Sequence, residues 1–216
     1  MEQRTVERFR KRTIWIHWLH TASFVFLSIS GALMFFHLTG MRGGQQIRTV
    51  HRITAVFFVA APVLYSFFDP KAAMTFLEEA FHWNRDDIAW LKLFGSYYFG
   101  GQEQMPPQGR INGDQKLWQL MVIITGSVFI LTGVNLWFFK LQIPIVLYQW
   151  VLLAHAVAFV VISFMFPIHF YLRTLHPRFE ESLSSMLDGK VSEPYARKHY
   201  PKWHDGIIGE NTNHDT

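Results

Sequence analysis

The chain has 216 residues, half of them apolar and 17% aromatic, and only 17% charged, against roughly 25% charged in soluble domains. That balance excludes disordered, collagen-like and coiled-coil chains and points to membrane. With no cysteine at all, a disulfide framework, covalently attached c-type haem and a cysteine-ligated iron–sulfur cluster are excluded in this chain. Any redox or metal chemistry must rest on histidine or oxygen ligands.

In chain order, a basic arm (residues 1–13) precedes a first apolar span, Ile14 to about Leu38. A second runs from about His51 to Phe68, a third from about Leu117 to Phe139, and a fourth from about Val146 to Leu172. A helix crossing a hydrocarbon core roughly 30 Å thick needs about 20 residues. The second span is short and would by itself suit a soluble core, but its three long neighbours favour the membrane. The middle loop, 69–116, contains the segment Ala72–Trp90 with Phe76, Leu77, Phe81, Trp83 and Ile88. This suggests a helix at the membrane surface, with ordinary loop packing equally open. A tail follows from residue 173. The first apolar stretch is too long for a cleaved signal peptide and has no small-residue cleavage pattern.

Basic residues set the orientation. Arg4, Arg8, Arg10, Lys11 and Arg12 precede span one; Lys71, Arg85, Lys92, Arg110 and Lys116 lie in the middle loop; Arg173, Arg178, Lys190, Arg197, Lys198 and Lys202 follow span four. Only Arg42, Arg48, Arg52 and Lys140 lie in the other two loops. The expected fold is an all-α transmembrane four-helix bundle (14–172, including the loop) with cytoplasmic N- and C-termini. The net charge of +4 is therefore a topology signal and not a nucleic-acid footprint.

Ionisable residues inside spans are costly, so four intramembrane histidines need an explanation. On span four, His155 and His169 are 14 residues apart. At 100° per residue they share a face to within roughly 40°, separated by about 21 Å along the axis. Depth pairs the inner His169 with His17 at the start of span one, and the outer His155 with His51 at the start of span two. Two imidazoles at each of two depths suit two b-type haems, with six-coordinate iron that carries electrons and has no open position. Gly31, Gly126 and Gly133 would admit a ring against a helix or serve helix packing; both readings stand. Pro167 removes a backbone donor just before His169. His20 competes with His17 as a ligand and His37 is interfacial. His82, His176, His199, His204 and His214 are expected in solvent. Zinc is disfavoured because the spans carry neither carboxylates nor cysteines.

The stretches His17-Trp18, Ser30-Gly31, the region of His51, Leu131-Thr132-Gly133-Val134, Leu153-Ala154-His155-Ala156 and Ile168-His169-Phe170-Tyr171 resemble the di-haem cytochromes b that serve formate dehydrogenases, hydrogenases and thiosulfate reductases. The tail, with Gly189-Lys190-Val191-Ser192 and His199-Tyr200-Pro201-Lys202-Trp203, resembles the formate dehydrogenase gamma-subunit type more narrowly. The resemblance covers about residues 12–204. It implies an outer haem on His51 and His155, an inner haem on His17 and His169, and a menaquinone beside the inner haem near His169 and Asn112. The family's Asn-x-Gly-Gln-Lys reads Asn112-Gly113-Asp114-Gln115-Lys116 here, with an aspartate where the family has glycine. Asn112 also suits the N-cap of span three, and Gln115 and Lys116 suit interface anchoring.

The implied activity is electron transfer from an iron–sulfur subunit through the outer and then the inner haem to quinone. Formate oxidation would belong to a molybdenum or tungsten subunit, the complex would sit in a bacterial or archaeal cytoplasmic membrane, and higher oligomers of it are open. The alternatives are a subunit of a hydrogenase or sulfur-compound reductase, a small histidine-containing transporter, and a purely structural anchor. The repeated halves and broken helices of transporters are not evident.

Overall fold

The computed structural model describes residues 4–100, 105–177 and 180–214. Arg178, counted above among the basic residues, lies outside them. In chain order the helices are α1 Lys11–Phe35, α2 Met41–Phe68, α3 Pro70–Phe81, α4 Arg85–Lys92, α5 Phe94–Phe99, α6 Gly113–Val134, α7 Ile145–Phe170, α8 Glu180–Ser185, α9 Glu193–His199 and α10 Pro201–His214. Strand β1 (Thr5–Glu7) pairs antiparallel with β2 (Lys190–Ser192), Val6 opposite Val191. Helices α6 and α7 each continue into a π-helical turn, Asn135–Phe139 and Tyr171–Leu175.

Four stretches are long and apolar enough to cross a membrane: Lys11–Phe35, Arg42–Phe68, Gly113–Phe139 and Ile145–Leu175. Large apolar side chains on all four, among them Trp15, Phe26, Ile53, Phe67, Leu131 and Phe164, are exposed. Such a surface suits hydrocarbon, not water. The second span differs from its sequence expectation. It begins at Met41 and not at His51, because Gln45, Gln46, Arg48 and Arg52 lower the hydropathy of its first turns without interrupting the helix. His51 therefore sits nearly three turns inside, about 15 Å from the helix start.

The chain divides into two compact units. The first comprises Trp15–Ala73 and Met121–Ile168, the greater part of the four long helices. Ser30, Phe35 and Phe24 of α1 reach His51 of α2 and Phe159 and Phe166 of α7, while Thr132 of α6 reaches His155.

The second unit joins the N-terminal arm up to Ile14, Met74–Leu120, and the chain from His169 onward. Its core is Trp90, Tyr98, Leu172, Val191, Tyr195, Ala196 and Tyr200. The middle loop is thus largely helical and interrupted, not one surface helix over Ala72–Trp90. Asn84 and Asp87 form a reciprocal cap that starts α4 afresh after α3 has ended at Phe81. Trp90 is buried in the core, whereas Leu77, Phe81 and Ile88 are exposed.

Two glycines in this unit are required by close approach. Gly189 has φ +88°, and a Cβ there would lie 2.3 Å from the Phe9 carbonyl oxygen; its own carbonyl accepts from the Phe9 and Arg8 N–H groups. A Cβ at Gly113 would lie 2.7 Å from the Asp87 carbonyl oxygen. Beside it, Lys116 is a buried ion-pair partner and not an interface anchor: its Nζ donates to Asp87 Oδ2 at 2.7 Å and to the His82 carbonyl at 3.1 Å.

Candidate functional site

In the first unit, His51 on α2 and His155 on α7 face each other with ring centroids 6.4 Å apart and planes at 60°. Each ring is held by a hydroxyl from a neighbouring helix. Ser30 Oγ lies 2.8 Å from His51 Nδ1 and also 2.8 Å from the Phe26 carbonyl. Thr132 Oγ1 lies 2.8 Å from His155 Nδ1 and 2.5 Å from the Val128 carbonyl. A hydroxyl has one proton. Since each donates it to a backbone carbonyl four residues back, each must accept from the imidazole. That assigns the proton to Nδ1 on both rings and leaves both Nε2 lone pairs for a ligand.

The residue after each hydroxyl is a glycine, and both glycines abut the ring that the hydroxyl holds. A Cβ on Gly31 would lie 3.7 Å from His51 Cε1, and one on Gly133 would lie 3.9 Å from His155 Cε1. Ser30-Gly31 serves His51 in the way that Thr132-Gly133 serves His155, so the site is built from one device used twice. Phe129 packs edge-on to His155, centroids 5.1 Å apart. At Gly126 no described atom would lie within 4 Å of a Cβ, so helix packing does not account for that glycine among the described residues.

The donor set fits an iron porphyrin. With metal–nitrogen bonds of about 2.0 Å, typical of imidazole on a first-row metal, two rings on opposite sides of one ion have centroids roughly 6 Å apart. Among the described residues no group of three or more His, Cys, Asp or Glu could hold a metal ion. A bare zinc site, which needs three or four protein ligands, therefore has no support among them. Two neutral imidazoles suffice when a macrocycle supplies the other four nitrogens.

The remaining predicted ligands are reached one at a time. On α1, His17 packs edge-on to Trp18 at 5.5 Å, and His20 stacks on Phe58 of α2 at 4.3 Å. In the second unit, His169 stacks on Trp118, rings 4.2 Å apart and 11° from parallel. Asn112 is fully buried at the N-terminus of α6. Its Oδ1 accepts from the Gln115 N–H and its own N–H donates to Gln115 Oε1, a reciprocal cap. The Asn112 amide nitrogen has no partner among the described residues.

Several histidines expected in solvent are not there. His176 and His204 are buried, and His176 Nε2 lies 2.9 Å from the Tyr98 carbonyl. His199 Nδ1 lies 2.7 Å from Tyr97 Oη. Burial, with the charges of Lys198, Arg8 and Arg173 adding to it, holds the His199 imidazole down to about 4. Burial likewise pushes the Tyr97, Tyr98 and Tyr195 hydroxyls up. These contacts join segments some hundred residues apart in sequence, beyond the reach of local pattern. His82 is exposed as expected, His37, expected at the interface, is exposed at the end of α1, and the side chain of His214 lies outside the described residues.

Asp114, the departure from the family pattern, also has a structural partner. Its Oδ2 accepts from Tyr98 Oη at 2.9 Å and pairs with Arg173 Nη2.

The chain is similar to cytochrome b subunits over most of its length. It is 29% identical over 202 residues to the cytochrome b556(Fdn) subunit of the nitrate-inducible formate dehydrogenase of Escherichia coli K12, covering 88% of this chain and 86% of that one. It is 24% identical over 200 residues to the formate dehydrogenase cytochrome b556(fdo) subunit of the same organism, covering 87% and 86%. To the formate dehydrogenase cytochrome b556 subunit of Haemophilus influenzae it is 23% identical over 197 residues, covering 87% and 77%. The family model for prokaryotic cytochrome b561 matches residues 8–189. Paired imidazoles between apolar helices and this match over most of the sequence have one common explanation: the chain belongs to the prokaryotic cytochrome b561 family.

Proposed function

We propose that the chain is the membrane-anchoring cytochrome b subunit of a respiratory formate dehydrogenase. It would hold two haem b groups and pass electrons from an iron–sulfur subunit to menaquinone near the cytoplasmic face. The observation that carries this reading is the His51–His155 pair, with both Nδ1 protons taken by hydroxyls. The names of the three relatives supply the enzyme. His51 and His155 would hold the outer haem, and His17 and His169 the inner one; the stacking of His20 on Phe58 favours His17. Bound haem would supply one-electron oxidation and reduction there, held by these histidines.

The chain's own residues do the rest. Ser30 and Thr132 fix the tautomer and ring plane of their histidines and strengthen them as ligands. Neutral imidazole keeps the site free of side-chain charge in low dielectric. Asn112 caps α6 with its oxygen and offers its amide N–H to a quinone carbonyl. The excess of Lys and Arg in the arm, the middle loop and the tail supports a cytoplasmic side for all three, in a bacterial or archaeal membrane. Protons taken up at the Asn112 end would then come from the cytoplasm, opposite in charge to the inward-moving electrons. Formate oxidation belongs to a molybdenum- or tungsten-containing partner.

The test is a pyridine haemochrome assay, with haem-to-protein stoichiometry, on the purified complex. Two haem b per chain is the expected result; none, or one, removes the reading. His51→Ala should leave one haem and stop quinone reduction while formate oxidation with an artificial acceptor continues.

A further inference from the structure

The inner ends of α6 and α7 meet in two rungs. Trp118 stacks on His169. One turn away on each helix, four residues before Trp118 and four after His169, Asp114 pairs with Arg173. Arg173 lies in the π-helical turn Tyr171–Leu175, a distortion often found at functional sites. Its guanidinium carbon is 6.0 Å from the Tyr98 ring centroid, and Tyr98 Oη donates to the same Asp114 oxygen that Arg173 binds. Arg173 is thus pinned on one side, through Nη2.

The other side is not satisfied by protein. Arg173 is 9% exposed, yet its Nε and Nη1 have no hydrogen-bond partner among the described residues. The Asn112 amide nitrogen and Asp114 Oδ1, within two residues of each other on the same helix end, are in the same condition. A buried guanidinium with open N–H groups is costly, so ordered water or a ligand oxygen must meet them. The open groups are mostly donors, and those of Asp114 and Arg173 lie one turn, about 6 Å along the axis, from the Trp118–His169 stack. That combination suits a flat ring bearing carbonyl oxygens.

We infer that Arg173, held by Asp114 and Tyr98, is a second binding residue for the quinone headgroup, donating from Nε or Nη1 to a carbonyl oxygen. The inference rests on the quinone reading of the preceding subsection and deepens it. It also gives Asp114 a role: an aspartate in the motif position where the family has glycine supplies the anion that orients the arginine.

The probe is 2-methyl-1,4-naphthoquinone. Its binding to the purified full chain is followed by quenching of tryptophan fluorescence, and its KM is measured in the complex with the catalytic partner. Arg173→Gln should weaken binding and raise KM roughly tenfold or more, the loss expected for one hydrogen bond from a charged donor. Dye-linked formate oxidation should not change. Arg173→Gln leaves Asp114 buried and unpaired, so a double variant, Asp114→Leu with Arg173→Met, removes both charges together. With its helical circular dichroism and haem bands intact, it should show the same weakening. Wild-type affinity in the double variant would overturn the role of Arg173 while leaving the quinone reading in place, water then being what meets those donors. Failure of the wild-type chain to bind or reduce the quinone would overturn both.

Discussion

Replacing Thr132 by valine keeps the side chain's shape and β-branching and removes one atom's function, the acceptor for His155 Nδ1–H. Thr132 is 8% exposed, and its oxygen sits 2.8 Å from Nδ1, so water cannot readily substitute. Two routes give the size of the effect. A buried donor left without its partner costs about 1–3 kcal/mol. Loss of a group that holds a metal-bound histidine typically costs about 10–100-fold in affinity, which at 1.4 kcal/mol per tenfold is about 1.4–2.8 kcal/mol. The ranges agree, and on the proposed two-haem reading they predict a faster loss of the haem held by His51 and His155, in that proportion. The assay is transfer of haem from the purified complex to excess apomyoglobin, with the haem-to-chain ratio measured on the same sample. Thr132→Ser, which keeps the hydroxyl, should behave nearly as wild type. A valine variant with wild-type ratio and transfer rate would show that the hydroxyl does not hold a ligand. Ser30→Ala is the equivalent experiment at His51.

Three further outcomes are expected in the second unit. Lys116→Met strands Asp87, whose side chain is 2% exposed; breaking such a pair costs about 3–5 kcal/mol. Adding Asp87→Asn should recover part of it, and a thermal melt in which the single variant loses under about 1 kcal/mol would refute the pairing's importance. Gly189→Ala forces a Cβ against the Phe9 carbonyl at positive φ. It should cost about 1–3 kcal/mol or more and open the tail to limited proteolysis; unchanged protease resistance would count against it. His199 is neutral when folded, its imidazole held down to about 4, while the unfolded value is about 6.5. Below about 6.5 the unfolded chain binds the extra proton, so this contribution is complete above that pH and is lost as pH falls toward 4. His199→Gln should flatten the decline of melting temperature over that interval, and an unaltered slope would exclude His199 as its source.

The two hydroxyl–glycine pairs at His51 and His155 show where sequence reading stops. Ser30-Gly31 and Thr132-Gly133 are visible as pairs, and a hydroxyl in an apolar run asks for an acceptor. Both pairs were legible as features of the family, but nothing local says which imidazole each meets. Their partners lie 21 and 23 residues away, on other helices. Hydropathy alone starts α2 ten residues late, because it averages over polar opening turns, with Gln45, Gln46, Arg48 and Arg52, that are nonetheless helical.

The sequence by itself determined the four apolar helices and the charge asymmetry of their loops. These follow from composition, which acts over a few turns. Only the tertiary structure decided that Ser30 and Thr132 hold His51 and His155, that the arm, the middle loop and the tail share one core, that His176, His199 and His204 are withdrawn from water, and that Asp114 answers Arg173. Those depend on which faces distant helices turn toward each other. Many side chains can satisfy one local pattern, and only close packing selects among them.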